Sequence, residues 1–141
     1  MELSIKQQVG NIIKKFGTKD PYEICHRMNI IITSAPLPQV TRGFCLTLKG
    51  GRAIVVNDNL NRKEATACIA HELGHIVLHE GLNYIFMSQN TCMVTGKYER
   101  EANIFAALLL TDGFVVNDGV TIANIAAKFA LPEDAVAQII T

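Results

Sequence analysis

No apolar stretch of this 141-residue chain reaches the roughly 18–20 uncharged residues of a membrane span, which argues against a membrane protein. The start, Met1-Glu2-Leu3-Ser4, lacks the basic and apolar segments of an export signal, and the expected location is the cytoplasm. Nor is there a long basic run, since 13 Lys and Arg balance 13 Asp and Glu. Binding driven by counterion release needs clustered cations, so no direct nucleic-acid partner is expected. The cysteines at 25, 45, 68 and 92 form no C-x-x-C pair. Without an export signal, reduced buried thiols are expected rather than disulfides. Internal repeats, low-complexity tracts and a dividing linker are also absent, and residues 1–141 are expected to fold as one domain. Apolar residues, by contrast, are plentiful. They make up 49 % of the chain against 18 % charged, enough for a packed core and too much for general disorder.

The order of elements predicts an α+β protein. Ile5, Val9, Ile12, Ile13 and Phe16 fall at helical spacing within residues 4–16, and Gly17 ends that helix. Asp20-Pro21 starts a second helix, with Asp20 as N-cap and Pro21 at the first helical position, running to about Met28. Ile30-Ile31-Ile32-Thr33 is β-branched and predicts a strand, and Pro36 and Pro38 mark a loop. Residues 43–49 and 52–57 predict a hairpin with its turn at Gly50-Gly51. Asn61 and Glu64 have the spacing of a capping box. They open a helix that runs from Arg62 to His79 or Glu80, with Gly81 as its stop. Leu82 to Met87 could be a short strand or irregular, and 88–95 reads as a loop. A helix resumes near Lys97, continues through Leu110 and breaks at Asp112-Gly113; two short helices, 121–129 and 132–140, complete the chain.

Within the helix that opens at Arg62 lies His71-Glu72-Leu73-Gly74-His75, an H-E-x-x-H pattern. Two His four apart stand about 40° from each other on one helical face, one turn above the other. That spacing lets both imidazoles bind one Zn²⁺, with Glu72 beside the open position as a base for water. A catalytic zinc usually keeps a third protein ligand. His79 lies one turn further, but three ligands along a straight helix span about 12 Å, too far for bonds of about 2 Å to one ion. His79 is therefore expected to bond to backbone or a carboxylate. Cys68, three residues before His71, is expected to be a small buried apolar residue rather than a ligand.

The later helix offers Glu99 and Glu101. They differ by about 200° of rotation, so only one can face the metal. Glu99 shares a side with Ala102, Asn103 and Ala106, small residues that would let this helix approach the first closely; Glu101 is nearer the charged side with Lys97. Glu99 is favoured. Asn103, one turn along, is placed to hydrogen-bond the far ring nitrogen of a zinc-bound His.

His71-Glu72-Leu73-Gly74-His75-Ile76-Val77-Leu78-His79, followed by Glu99-Arg100-Glu101-Ala102-Asn103-Ile104-Phe105-Ala106, resembles the ImmA/IrrE family of metallo-endopeptidases over at least residues 52–112. The resemblance implies a compact zincin-like metallopeptidase domain, with a small sheet or hairpin packed on the H-E-x-x-H helix and further helices around it. It implies one Zn²⁺ per chain on His71, His75 and Glu99, with Glu72 as general base. Members are typically bacterial, phage or mobile-element proteins. Several cleave a helix-turn-helix repressor encoded nearby, so such a repressor is the expected protein partner. Zincins commonly hold extended substrate on an edge strand, and the resemblance implies that role for residues 52–57. Tyr84, Tyr98 and His79 are candidate transition-state donors, each more readily structural. Many members continue into Met-Pro where this chain has Leu109-Leu110-Thr111-Asp112, a departure that touches the following loop and not the metal site.

Two other functions are weighed against a peptidase. A non-catalytic zinc-binding interaction module of the same fold has no chemical need for Glu72. A DNA-binding regulator is disfavoured by the second helix of the C-terminal pair, which carries Glu133 and Asp134 and no Lys or Arg. That pair is expected to cover the core or to dock a protein.

Overall fold

The computed structural model describes residues 3–79 and 92–140, and among these it forms six helices and one three-stranded sheet. The first helix, α1 (Ile5–Phe16), is opened by a capping box between Ser4 and Gln7 and closed by Gly17 in the left-handed conformation. Helix α2 (Pro21–Arg27) starts where the Asp20 side chain accepts the Tyr22 N–H at 3.0 Å. Strand β1 (Ile30–Ala35) follows, then the hairpin β2 (Gly43–Leu48) and β3 (Gly51–Asn57). Leu48 pairs with Gly51, so the turn is Lys49-Gly50 rather than Gly50-Gly51, and Gly50 alone takes positive φ.

The sheet order is β1-β3-β2, with β1 parallel and β2 antiparallel to β3. This corrects the edge-strand role expected for residues 52–57: β3 is paired on both sides and has no free edge. Parallel partners are distant in sequence, and the pattern of either strand alone does not reveal the pairing. Beside β3, β2 is the outer strand of the hairpin. The Asn57 N–H donates to the Arg42 carbonyl at 2.7 Å. By antiparallel alternation, the backbone groups of Gly43, Cys45 and Thr47 then point away from β3.

Helix α3 (Arg62–Leu78) lies between the sheet and helix α4 (Cys92–Leu110). The expected capping box is present, with Asn61 accepting the Glu64 N–H at 2.8 Å and Glu64 accepting the Asn61 N–H at 3.0 Å. Ala67, Cys68, Ile69, Ala70, Leu73 and Ile76 of α3 are buried with Ile30, Cys45, Ile54 and Val56 of the sheet. A helix covered on several sides is apolar nearly all round, which matches this composition. Each fully buried Ile or Leu contributes about 1.5–3 kcal/mol. Helix α4 begins at Cys92, five residues before its expected start near Lys97. Val94, Thr95 and Gly96 have weak helix propensity, which is why the sequence pattern places the start later. Gly81 and Tyr84 lie outside the described residues.

Helices α5 (Ile122–Phe129) and α6 (Glu133–Ile140) meet at Ala130, which is left-handed at φ 56°. Ile125, Ala126, Leu131, Ala135 and Val136 are buried in the same core, so the pair covers it. Among the described residues no helix is long and apolar enough to cross a membrane.

The α3–α4 contact is tight at Gly74, where an added Cβ would lie 3.0 Å from the Phe105 Cβ and 3.1 Å from two of its ring atoms. Gly74→Ala is expected to be near neutral, because the helix propensity gained, about 1 kcal/mol, offsets a small outward shift. Gly74→Val is expected to destabilise by about 1–3 kcal/mol through overpacking, read as a lower urea midpoint at unchanged slope. A valine accepted at no cost would show that the helices do not touch there as described.

Candidate metal centre

The Asn61 cap and the burial of α3 fix the helix that carries His71 and His75. Their rings lie 4.8 Å apart, edge to face. Phe105, Ala102 and Ala106 bring α4 against this face, and Glu99 projects from α4 between the two rings. The Glu99 carboxylate is 2.9 Å from His71 Nε2 through Oε2 and 2.8 Å from His75 Nε2 through Oε1. The three side chains offer ligand atoms that all lie within 4.8 Å of one another. Burial would raise the Glu99 pKa, but the hydrogen bonds and charges of His71 and His75 outweigh it and hold the carboxyl well below the usual range. Burial likewise opposes charge on His71, yet Glu99 and Glu72 raise its pKa overall.

The far ring nitrogens are also engaged. His71 Nδ1 is 2.7 Å from Asn103 Oδ1, the contact expected from Asn103. His75 Nδ1 is 3.0 Å from His79 Nδ1, and His79 Nε2 is 3.0 Å from Glu101 Oε1. His79 thus bonds to a carboxylate, as expected. Its partner is a correction, because Glu101 had been read on the charged side of α4. His79 follows the last helical residue of α3 at φ −118°, so its ring leaves the line of His71 and His75 and meets α4 on the flank that carries Glu101. Burial lowers the His79 pKa despite Glu101, which favours the neutral ring. The Tyr98 ring stands 4.5 Å from that of His79, edge to face.

Proton counting tests whether these residues suit a metal. Among the described residues, five contacts of hydrogen-bond length involve a ring nitrogen of His71, His75 or His79. Four end on oxygens that only accept, and the fifth joins two imidazole nitrogens, so each contact calls for one ring proton. Three neutral imidazoles carry only three. The metal-free arrangement therefore needs two imidazolium ions in a largely buried cluster, where charge is costly. One divalent cation in place of the two protons that face Glu99 would carry the same charge and leave all three imidazoles neutral. Each ring then keeps one proton: His71 donates from Nδ1 to Asn103, His75 from Nδ1 to His79, and His79 from Nε2 to Glu101. The Nε2 lone pairs of His71 and His75 are left for the metal, beside an ionised carboxylate. Two imidazoles and one carboxylate are the donors of a catalytic zinc site with an open position.

Glu72 lies just behind this group, with Oε2 3.8 Å from His71 Nε2. Its carboxyl is buried, and burial raises its pKa against the opposing effect of His71 and His75. The Cys45 thiol on β2 faces it and opposes the rise in its pKa. The group opens onto a cleft of about 440 Å³. One wall is the loop through Arg42 and Gly43, the other is the Leu131-Pro132 turn, and Ala67 and Ala106 help to line it. Gly43 is required there, since a Cβ would meet Val55 O at 2.5 Å and Cys68 Sγ at 2.6 Å. Cys68 is buried along the cleft and lies outside the convergent ligand group. The roles of Cys45, Glu101 and the Leu131-Pro132 wall were not read from the sequence. Gly43 at the head of an alternating strand was the one local signal of a close approach.

Residues 25–141 match the family model of the IrrE N-terminal-like domain, a peptidase family. The chain is 39 % identical over 134 residues to "Uncharacterized immunity region protein 2" of Bacillus phage phi105, covering 92 % of this chain and 85 % of that protein. It is 32 % identical over 134 residues to "Metallopeptidase ImmA" of Bacillus subtilis (strain 168), covering 91 % of this chain and 79 % of that protein.

Cys25, Cys45 and Cys68 are free and buried. Burial, chiefly, pushes the Cys25 and Cys68 thiols up to about 12. At pH 8 the reactive thiolate is therefore scarce in the folded chain. Iodoacetamide is expected to label Cys25 and Cys68 at least about 100-fold more slowly in the native protein than in urea, followed peptide by peptide by mass spectrometry. Rapid native labelling would contradict the burial described.

Proposed function

The chain belongs to the IrrE-like metallopeptidase family, and we propose that it is a zinc-dependent endopeptidase, with zinc held by His71, His75 and Glu99 and Glu72 as general base. The observation that carries this reading is the convergence of those three side chains, with a proton count that balances for a divalent cation. Zinc at such a site supplies Lewis acidity toward the scissile carbonyl and brings the pKa of water to about 7.

The chain's own residues do the rest. Asn103 fixes the His71 tautomer by accepting its Nδ1–H, which keeps Nε2 available. Glu72 takes a proton from the attacking water and passes it to the leaving amine. Its burial supports this task, because a carboxylate of raised pKa is the stronger base. A non-catalytic module would gain nothing from a buried carboxyl at this point. The outward backbone groups of Gly43, Cys45 and Thr47 give an extended peptide a strand to pair with, a role moved from residues 52–57 to β2.

The substrate is a regulatory protein, of the helix-turn-helix repressor class. Support comes from the family resemblance and from the phage relative, whose name places it in an immunity region. Such a substrate is met in the cytoplasm.

Glu72→Gln is expected to keep one zinc per chain and to lower the cleavage rate of a co-expressed repressor by at least about 10²–10⁴-fold. Glu99→Ala is expected to lose both zinc and cleavage, measured by elemental analysis and gel electrophoresis. Undiminished cleavage by Glu72→Gln would remove the proposed base.

A further inference from the structure

The reaction proposed above leaves His79 and Glu101 without a task, although both are held in place. The His79 side chain is 3 % exposed and Glu101 one third exposed, and their contact is 3.0 Å. The buried His79 imidazole has both ring nitrogens engaged, one of them by the partly exposed Glu101 carboxylate. We propose that His79 and Glu101 are a positioning pair, a two-step relay that fixes the tautomer and orientation of His75. The proposal rests on the reading of His71, His75 and Glu99 as metal ligands.

Three observations support the relay. Its contacts run in one sense from His75 Nδ1 to His79 Nδ1, and from His79 Nε2 to Glu101 Oε1. With no proton on the two Nε2 atoms facing Glu99, the contacts among the described residues place Nδ1–H on His75 and Nε2–H on His79. Glu101 Oε1 is an acceptor at the far end, so His79 presents Nε2–H to it and its Nδ1 lone pair to His75 Nδ1–H.

The relay is also anchored mechanically. The His79 N–H donates to the His75 carbonyl at 2.9 Å, so the two residues share the last turn of α3. The Tyr98 ring packs against His79 from α4, and Glu101 comes from the same helix. The two metal-facing imidazoles are therefore oriented differently. His71 leans on a neutral amide, Asn103, whereas His75 leans on a second imidazole backed by a carboxylate. An anionic backing makes an imidazole a stronger donor to a metal than an amide does.

The test is the zinc dissociation constant, measured by competition with a chromophoric chelator, for wild type, Glu99→Ala, His79→Leu, His79→Gln, Glu101→Ala and the double variant His79→Leu/Glu101→Ala. His79→Leu removes both contacts at similar volume and is expected to weaken zinc binding about 10–100-fold. His79→Gln can still accept from His75 and donate to Glu101, and is expected to stay within a few-fold of wild type. Glu101→Ala is expected to weaken binding, and the double variant to be little worse than His79→Leu alone, because Glu101 acts through His79. In the zinc-loaded protein, ¹⁵N shifts should report His75 protonated at Nδ1.

Unchanged zinc affinity in His79→Leu, or losses that multiply in the double variant, would overturn the relay. If His79→Leu does not fold, an unchanged affinity in Glu101→Ala overturns it instead. A wild type that binds no zinc, or a Glu99→Ala variant that binds it as wild type does, would overturn the ligand assignment and the relay with it. Loss in Glu99→Ala alone would spare the ligands and remove only the relay.

Discussion

The centre of this protein depends on one close approach between two helices. Glu99 reaches His71 and His75 because α4 lies directly on α3, and a glycine at position 74 leaves room for Phe105 there. The residues that permit the contact are small on both helices: Gly74 on one, Ala102 and Ala106 on the other. A second constraint lies within the first. The side chains that meet at this contact are ionisable, and they are satisfied only in a consistent set of protonation states. Packing decides that they meet, and proton balance decides what can sit among them.

That balance explains an otherwise odd composition. A helix as buried as α3 would normally carry no titratable residue, yet it holds Glu72, His75 and, at its end, His79 below 9 % exposure. Each is matched. Glu72 faces the Cys45 thiol and the two imidazoles, His75 faces Glu99 and His79, and His79 faces Glu101. Among the described residues no buried side-chain nitrogen or oxygen lacks a partner. A cluster of this kind contributes little net stability, because desolvation cancels most of the attraction. Its value is specific: removing one member strands the next.

Much of the arrangement was legible in the sequence because it follows from helical geometry. The spacing of His71 and His75, the rotation that separates Glu99 from Glu101, and the place of Asn103 one turn beyond Glu99 all depend on 3.6 residues per turn. The caps at Asp20 and Asn61 are local as well, written within a few residues of each helix start. What could not be read was non-local. That β1 pairs in parallel with β3, and so leaves β2 beside the site, is a fact about residues some twenty positions apart. The same holds for Glu101, whose inward position depends on where His79 leaves the regular helix. Cys45 was legible as buried, but its contact with Glu72 depends on how the sheet faces α3. The early start of α4 at Cys92 was not legible either, because Val94, Thr95 and Gly96 have weak helix propensity.

One amide far from the chemistry has a consequence for recognition. Asn57 ends β3 with its side chain buried, and its Nδ2 donates to the carbonyls of Leu37, Pro38 and Thr41 at 3.1, 3.2 and 2.9 Å. A connection that would otherwise sample many conformations is thereby tied to the sheet. Fixing a backbone residue costs about 1–2 kcal/mol of entropy. Here that cost falls on folding, before any peptide arrives. The loop then leads directly into Arg42 and Gly43 on the wall of the cleft. That wall of the cleft is therefore held in one shape by the sheet.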